Sequence, residues 1–235
     1  MKMIQQVIHT IEEHDLIRSD DRILIGFSGG PDSVALLHVL AKLRRRFRLT
    51  LQAVYVNHQI RRRAAGDEEL FCAEMCDRLK VPFEVVTVDI PALTRKRKKG
   101  VEETARDFRY QTFDEIANRD RCHRIAVGHH LDDRAETVLF RVLRGTGVAG
   151  LAGIPIQRGR IIRPLYDVTK DQILAYLKKQ GLAFCTDRTN RDTRYDRNYV
   201  RYRLLSQIRE RLNPAVTSAL INLSETAREE DALLN

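Results

Sequence analysis

An apolar β-type run, Ile23-Leu24-Ile25-Gly26-Phe27, breaks into the polar turn Ser28-Gly29-Gly30-Pro31-Asp32-Ser33, and a helical apolar pattern, Val34-Ala35-Leu36-Leu37, begins at once. Few folds accommodate this order. A strand that feeds directly into a helix belongs to a sheet with helices packed on its faces. Gly29 and Gly30 allow a sharp turn and the close approach of a ligand. Asp32 or Ser33 can start the helix, whose first N–H groups lack intrahelical partners and carry partial positive charge. A phosphate is well held at such a point. The turn lacks the Gly-Lys-Ser/Thr of a Walker A loop. An ordinary strand–turn–helix corner satisfies the same pattern, so both readings stand on these residues alone.

The rest of the chain repeats the theme. Residues 3–17 have helical spacing, and 22–27 form the first strand. The helix after the turn, about 32–43, ends in Arg44-Arg45-Arg46, which complements a helix C-terminus. Residues 51–56 read as a second strand running into Asn57-His58-Gln59-Ile60-Arg61, and Gly66-Asp67-Glu68-Glu69 as the start of a helix reaching about 80. A third strand is expected at 83–88, a helix at 101–119, a fourth strand at 124–128 and a helix at 132–144. This alternation predicts an α/β fold with a doubly wound, mainly parallel sheet and helices on both faces. Ligands of such sheets bind beyond the carboxyl ends of the strands, where strand order reverses. The 28–33 turn, Asn57-His58 and His129-His130 all leave carboxyl ends and can meet there. Gly145-Thr146-Gly147-Val148-Ala149-Gly150 matches G-x-G-x-x-G by letter but follows a helix rather than a strand, so it is not a dinucleotide fingerprint; Gly145 reads as a helix C-cap. Residues 161–165 suit an edge strand because Pro164 cannot donate to a ladder. Thr169 to Gln180 reads as a helix ended by Gly181, and the pattern from about 204 is helical with a break at Asn213-Pro214.

Composition narrows the partners. Lys and Arg outnumber Asp and Glu by 41 to 32, a balance that favours polyanions. The densest run is Arg95-Lys96-Arg97-Lys98-Lys99; a generic polyanion contact and a solvated loop both fit it. No signal-peptide pattern or bilayer-length apolar run is present, so no membrane association is expected. Cys72, Cys76, Cys122 and Cys185 form no Cys-x-x-Cys pair. They read as reduced thiols of a cytoplasmic protein, with Cys72 and Cys76 packing on one helix face.

Three further strings could carry chemistry. In His129-His130-Leu131-Asp132-Asp133-Arg134-Ala135-Glu136-Thr137, Asp133 and Glu136 share a helix face, as do Asp132 and Glu136. Two converging acids can hold an ammonium group or a magnesium ion with its waters. Acids favoured at a helix N-terminus explain one of these carboxylates, but less well the whole string. The adjacent His129 and His130 do not readily converge on one zinc. In Glu102-Glu103-Thr104-Ala105-Arg106-Asp107-Phe108-Arg109-Tyr110, Glu102 and Arg106 have ordinary salt-bridge spacing. Arg109 either continues a solvated stripe or offsets charge on a transferring phosphate. Residues 186–201 mix arginines and tyrosines suited to RNA with acids that suit a self-neutralising loop.

The turn Ser28-Gly29-Gly30-Pro31-Asp32-Ser33 resembles the SGGxDS pyrophosphate loop of the PP-loop ATP pyrophosphatases, which favours the phosphate reading over a plain corner. Together with Val56-Asn57-His58-Gln59-Ile60-Arg61, the 102–110 string, the 129–137 string, Arg144–Gly153, Arg163-Pro164-Leu165, Thr189-Asn190 and Arg197-Asn198, it resembles the tRNA(Ile)-lysidine synthetases. The resemblance implies an adenine-nucleotide alpha-hydrolase-like fold. It implies an ATP-dependent ligase acting on the wobble cytidine of a tRNA(Ile) with a CAU anticodon. ATP adenylates the C2 oxygen and releases pyrophosphate; the side-chain amine of L-lysine then displaces AMP, and the codon read changes from AUG to AUA. Carried onto this chain, Ser28, Gly29, Gly30, Pro31, Asp32 and Ser33 would hold the phosphates, with Asp32 acting through Mg2+. Arg109 would offset charge in adenylation or bind AMP. Asp133 and Glu136 would receive the lysine ammonium or serve its deprotonation. His130 would contact nucleotide, Arg201 would line the lysine and tRNA site, and Arg95, Lys96, Arg97, Lys98 and Lys99 would meet tRNA. Residues 1–208 would form the catalytic domain and 209–235 a helical linker toward a C-terminal tRNA-binding region absent from this chain. Oligomeric state is left open, a homodimer included.

Three rivals compete. A cytidine thiolase of the same superfamily needs cysteine pairs that this chain lacks. A small-molecule PP-loop ligase, such as an NAD or GMP synthetase, fits the basic balance less well. A non-catalytic nucleotide- or RNA-binding module would not need Asp32, Arg109, Asp133 and Glu136 together.

Overall fold

The computed structural model describes residues 2–59, 62–96, 100–186 and 196–234. Helix α1 (Lys2–Glu13) precedes β1 (Arg22–Gly26), α2 (Pro31–Phe47), β2 (Thr50–Asn57), α3 (Arg62–Arg78) and β3 (Phe83–Thr87). Then come α4 (Ile90–Lys96), α5 (Val101–Arg119), β4 (Arg124–Ala126), α6 (Leu131–Arg144), α7 (Val148–Leu151), β5 (Gln157–Arg158) and β6 (Ile161–Ile162). Helix α8 (Lys170–Gln180) leads to α9 (Asp196–Tyr199), a π-helical turn (Val200–Leu204), α10 (Leu205–Arg211) and α11 (Val216–Leu234).

The sheet order is β3-β2-β1-β4-β6-β5. β1 pairs in parallel with β2 and β4, as do β2 with β3 and β4 with β6, whereas β5 is antiparallel to β6. The doubly wound, mainly parallel sheet expected from the sequence is therefore present. Strand order reverses between β1 and β4, which fixes where a ligand crevice forms.

Alternation along the strands divides the core between the two faces. Ile23, Ile25, Leu51, Ala53, Tyr55, Ala126 and Ile162 join α1, α2 and α8 on one side. Leu24, Val54, Ile125, Val127 and Ile161 pack with Phe113, Ile116 and Ala117 of α5 on the other. Cys72 and Cys76 lie in the first layer as buried free thiols.

Several elements differ from the sequence reading. α1 stops at Glu13 because Asp15 adopts a left-handed φ of 46°. α3 starts at Arg62, four residues before Gly66, so Asp67, Glu68 and Glu69 do not form its first turn. Glu68 and Glu69 instead tie α3 to β2, accepting from the Tyr55 hydroxyl at 2.8 Å and the Asn57 amide at 2.5 Å. The edge strand expected at 161–165 is corrected too: β6 covers only Ile161–Ile162 and lies inside, and β5 forms the edge. Gly145 does cap α6, its N–H donating to the Val142 carbonyl, and Thr169 and Gly181 bound α8.

The C-terminal helices pack back onto α6, where Leu139 meets Val200, Leu205 and Val216. Arg134 of α6, essentially fully buried, bonds Asp167 at 2.9 Å and Glu225 of α11 at 3.0 Å, with its guanidinium 3.7 Å from the Tyr166 ring centre. Only the Arg134 side chain is buried, Asp167 and Glu225 staying partly exposed; losing both acids would leave its charge uncompensated, so this clamp ties down the helix that carries Asp133 and Glu136. Among the described residues, no helix is long and apolar enough to cross a membrane.

Candidate active site

The phosphate loop leaves β1 and enters α2 through an extended Gly30 and a Pro31 in the first turn. Ser33 closes the loop from inside: its Oγ donates to the Gly30 carbonyl at 2.9 Å and accepts from the Ser28 N–H at 3.2 Å. Gly29 has a φ of 74°, and a Cβ there would meet Cys72 Sγ at 3.1 Å and Cys185 Sγ at 3.3 Å. Both the left-handed backbone and the crowding favour glycine. A Cβ at Gly128, at the end of β4, would lie 3.2–3.3 Å from the Asp32 backbone and the Ser33 nitrogen. That close approach brings the β4–α6 connection, His129 and His130 included, onto the first turn of α2.

A line of alternating charge follows from this approach. Lys170 Nζ donates to Asp32 Oδ1 at 2.5 Å, and His130 Nε2 lies 3.6 Å from that same oxygen and 3.5 Å from Asp133 Oδ2. Arg201 then binds Asp133 and, through Nε at 2.6 Å, Glu136 Oε1. Asp133 also accepts from the His130 backbone N–H at 3.1 Å, and Asp132 accepts from the Lys170 N–H at 2.7 Å. The sequence offered two acid pairs; the structure turns Asp133 and Glu136 to one cation and uses Asp132 to dock α8.

Burial and neighbours set the protonation of these groups. Burial opposes the charge on Asp133, but His130, Arg201 and His129 hold its carboxyl below the usual range. Burial pushes Glu136 upward, and Arg201 offsets only part of this. Glu136 Oε2 is buried with no hydrogen-bond partner. A buried carboxylate oxygen without a donor is costly, and a cationic donor would relieve that cost. Burial also works against protonated His130, yet Asp132, Asp133 and Asp32 around the ring hold its pKa above the ordinary value. Its ring is buried among carboxylates.

The other candidates are spread around this line. Arg109 reaches His58 Nε2 at 3.2 Å from the solvent side of α5. Arg95 is exposed near the end of α4, whereas Arg97, Lys98 and Lys99 lie outside the described residues, as do Ile60, Arg61 and Thr189-Asn190; the Lys96 side chain is likewise outside them. Lys170 was missed by the sequence reading. The available signal was its place: a lysine in the first position of a helix opposes the helix dipole and so calls for a nearby anion.

Three histidines make stability pH-dependent. Burial lowers His38 and His58 to about 4, helped by Lys42 and Arg78 at His38 and by Arg109 at His58; burial lowers His129 to about 3. The unfolded chain protonates each near 6.5. Below that pH the unfolded state binds more protons, so stability falls with pH through the window from about 6.5 to 4 for His38 and His58, and on to about 3 for His129. His130 acts oppositely: its contribution is present below about 6.5 and lost as pH rises through its elevated folded value. Glu136, raised by burial, acts in the same sense as His130. With three histidines against these two groups, the thermal midpoint is expected to be lower at about pH 5 than at pH 7, and His38→Asn to flatten the slope. Equal midpoints would contradict this balance.

The comparisons with known proteins agree with one another. Residues 1–208 match the model of the PP-loop domain family. The chain is 37% identical over 230 residues to a tRNA(Ile)-lysidine synthase of Clostridioides difficile, covering 97% of this chain and 50% of the relative. It is 39% identical over 232 residues to that of Caldanaerobacter subterraneus, covering 99% and 50%. It is 37% identical over 234 residues to that of Chlorobaculum tepidum, covering 100% and 71%. The chain thus spans about half the length of the first two relatives. Among solved structures, a U34-tRNA thiolase from Methanococcus maripaludis superposes with a TM-score of 0.77 at 17% identity, over 97% of this chain and 79% of that one. An NH3-dependent NAD synthetase from Campylobacter jejuni gives 0.56 at 15%, over 97% and 94%; both show the fold alone. A PP-loop match over most of the chain, with relatives of this similarity along nearly its whole length, establishes that the chain belongs to the tRNA(Ile)-lysidine synthase family of PP-loop proteins.

Proposed function

We propose that this chain carries the catalytic chemistry of an ATP-dependent tRNA(Ile)-lysidine synthase. The observation that carries the reading is the buried, unpartnered Glu136 Oε2 at one end of a charge line whose other end is the phosphate loop. The two ends suit the two halves of the reaction. At the loop, the first turn of α2 and residues 28–33 would hold the triphosphate while the C2 oxygen of the wobble cytidine attacks the α-phosphorus. The electron pair of the broken Pα–O bond leaves with pyrophosphate. At the other end, Asp133 and Glu136 would hold the lysine ammonium, with Arg201 shifting to admit it. Attack requires a neutral amine, and Glu136, pushed upward by burial, is suited to take the proton. The amine then forms the C2–N bond and AMP leaves with its oxygen.

Magnesium fits this site in a limited way. Among the described residues, no three His, Cys, Asp or Glu side chains converge as a metal cage. Magnesium is characteristically held by one or two carboxylates plus substrate phosphates, and Asp32 supplies such a carboxylate beside the loop. Bound there, the ion would offset phosphate charge. Arg109 would stabilise the nucleotide from the α5 side, and His130 would contact the nucleotide while holding the Asp133 carboxyl below its usual range. Arg95 and the basic residues after it would meet the tRNA backbone. Residues 1–208 carry both half-reactions in this reading, and the helices from 209 onward serve as a linker.

The test is ATP-dependent transfer of labelled L-lysine to an unmodified isoleucine tRNA transcript with a CAU anticodon, against a methionine tRNA with the same anticodon. Incorporation into the first is expected. Incorporation into both would keep the chemistry and remove discrimination from this chain. Absence of both lysine transfer and tRNA-dependent pyrophosphate release would overturn the proposal.

A further inference from the structure

The phosphate loop contains no lysine or arginine of its own, Ser28-Gly29-Gly30-Pro31-Asp32-Ser33 being neutral apart from one acid. A loop built to hold a triphosphate gains from a nearby cation, and the structure supplies one from 138 residues away. Lys170 Nζ sits 2.5 Å from Asp32 Oδ1 at the mouth of the loop, both side chains remaining about one-third exposed. Its backbone is held rigidly: the Lys170 N–H donates to Asp132, and Thr169 and Gln172 cap α8 reciprocally, at 2.8 and 3.2 Å. The preceding segment is pinned to α6 by the Leu131 N–H on the Val168 carbonyl at 2.9 Å.

The placement costs helix stability. A cation at the first position of α8 meets the positive end of the helix dipole. An ion pair this exposed returns about 1 kcal/mol or less, so holding α8 to α2 is weak grounds for the arrangement. A lysine kept at a phosphate loop against the local helix field is better suited to an anionic ligand that comes and goes.

We propose that Lys170 is a phosphate-contacting residue that leaves Asp32 for the β- and γ-phosphates of bound ATP and offsets the charge that collects on the departing pyrophosphate. The proposal rests on the ATP-dependent reading above. In the step concerned, the new Pα–O bond forms to the attacking oxygen and the old Pα–O bond breaks. Its electron pair goes to the pyrophosphate oxygen, and Lys170 keeps its proton throughout. Asp32 is thereby freed for the magnesium that accompanies the nucleotide.

The test is direct calorimetric binding of three probes, ATP, inorganic pyrophosphate and AMP, to the wild-type chain, Lys170→Gln and Lys170→Arg, with thermal midpoints recorded alongside. No tRNA or lysine is needed, so the result is independent of which substrate the enzyme modifies. Lys170→Gln is expected to weaken ATP and pyrophosphate about 10-fold or more, leave AMP unchanged and keep its midpoint, while Lys170→Arg recovers part of the loss. Unchanged affinity for ATP and pyrophosphate, or an equal loss for AMP, would overturn the proposal by making Lys170 a structural residue. A wild-type chain that binds neither ATP nor pyrophosphate would overturn both this inference and the ATP-site reading beneath it.

Discussion

Asp32→Asn is expected to lower tRNA-dependent pyrophosphate release by about 100-fold or more while leaving the fold intact. The substitution keeps the size and hydrogen-bonding shape of the side chain and removes only its charge. In the structure that charge faces Lys170 at 2.5 Å and His130 at 3.6 Å. Because the Lys170 pair is about one-third exposed on both sides, its loss costs roughly 1 kcal/mol or less. The thermal midpoint therefore moves by only a few degrees. The catalytic loss has a separate origin. In the proposed site, loss of the carboxylate would remove the anchor for the cation that accompanies the triphosphate and would misplace the α-phosphorus relative to the attacking oxygen. Pyrophosphate release and a melting curve on the same preparation check both halves. Near-normal release would remove Asp32 from the nucleotide site, whereas a collapsed melting curve would show a structural residue.

Glu136→Gln is expected to act on the other substrate. Glutamine is nearly isosteric, so Oε1 can still accept from Arg201 Nε, 2.6 Å away in the wild-type chain. The unpartnered Oε2 becomes an amide nitrogen, a donor where the ammonium needs an acceptor. A charge-assisted hydrogen bond in a buried setting is worth about 2 kcal/mol, which is roughly 30-fold in the KM for lysine. Pyrophosphate release at saturating ATP is expected to stay near the wild-type rate, because the phosphate loop lies at the far end of the charge line. The KM for lysine and the pyrophosphate rate, measured separately, form the check. A fall in pyrophosphate release equal to the fall in lysine transfer would place Glu136 in adenylation instead. Neutralising Glu136 also removes a carboxylate that burial pushes upward, so the variant is expected to be no less stable than the wild type.

The layout of the chain was legible in the amino-acid order, and so was the meeting of its strand-end segments at one crevice. Strand and helix periods are local properties, read within a dozen residues, and they were enough to give a doubly wound sheet. The Ser28–Ser33 turn and the His129-to-Thr137 string announce themselves by short spacing, and their positions at strand ends put them at one crevice. Where the local signal was thin, the reading slipped. β5 and β6 have two residues each, too few to show alternation. Gly66 suggested a helix start, yet α3 begins four residues earlier, because a single helical glycine costs only about 1 kcal/mol.

Which charges face one another depends on how distant segments pack. Arg201 lies 65 residues from Glu136 and 68 from Asp133, and Lys170 lies 138 from Asp32; no periodicity encodes such pairs. They arise because Gly128 lets the β4–α6 connection press against the first turn of α2, because Asp132 seats α8, and because Arg134 ties α6 to the C-terminal helix α11. Arg109 shows the same limit from the other side: its spacing allowed either a solvated stripe or a catalytic cation, and the fold sets it against His58. Side-chain type fixes what a residue is able to do, but a charge acts over a few ångströms, and only the packing of distant segments brings two of them within that range.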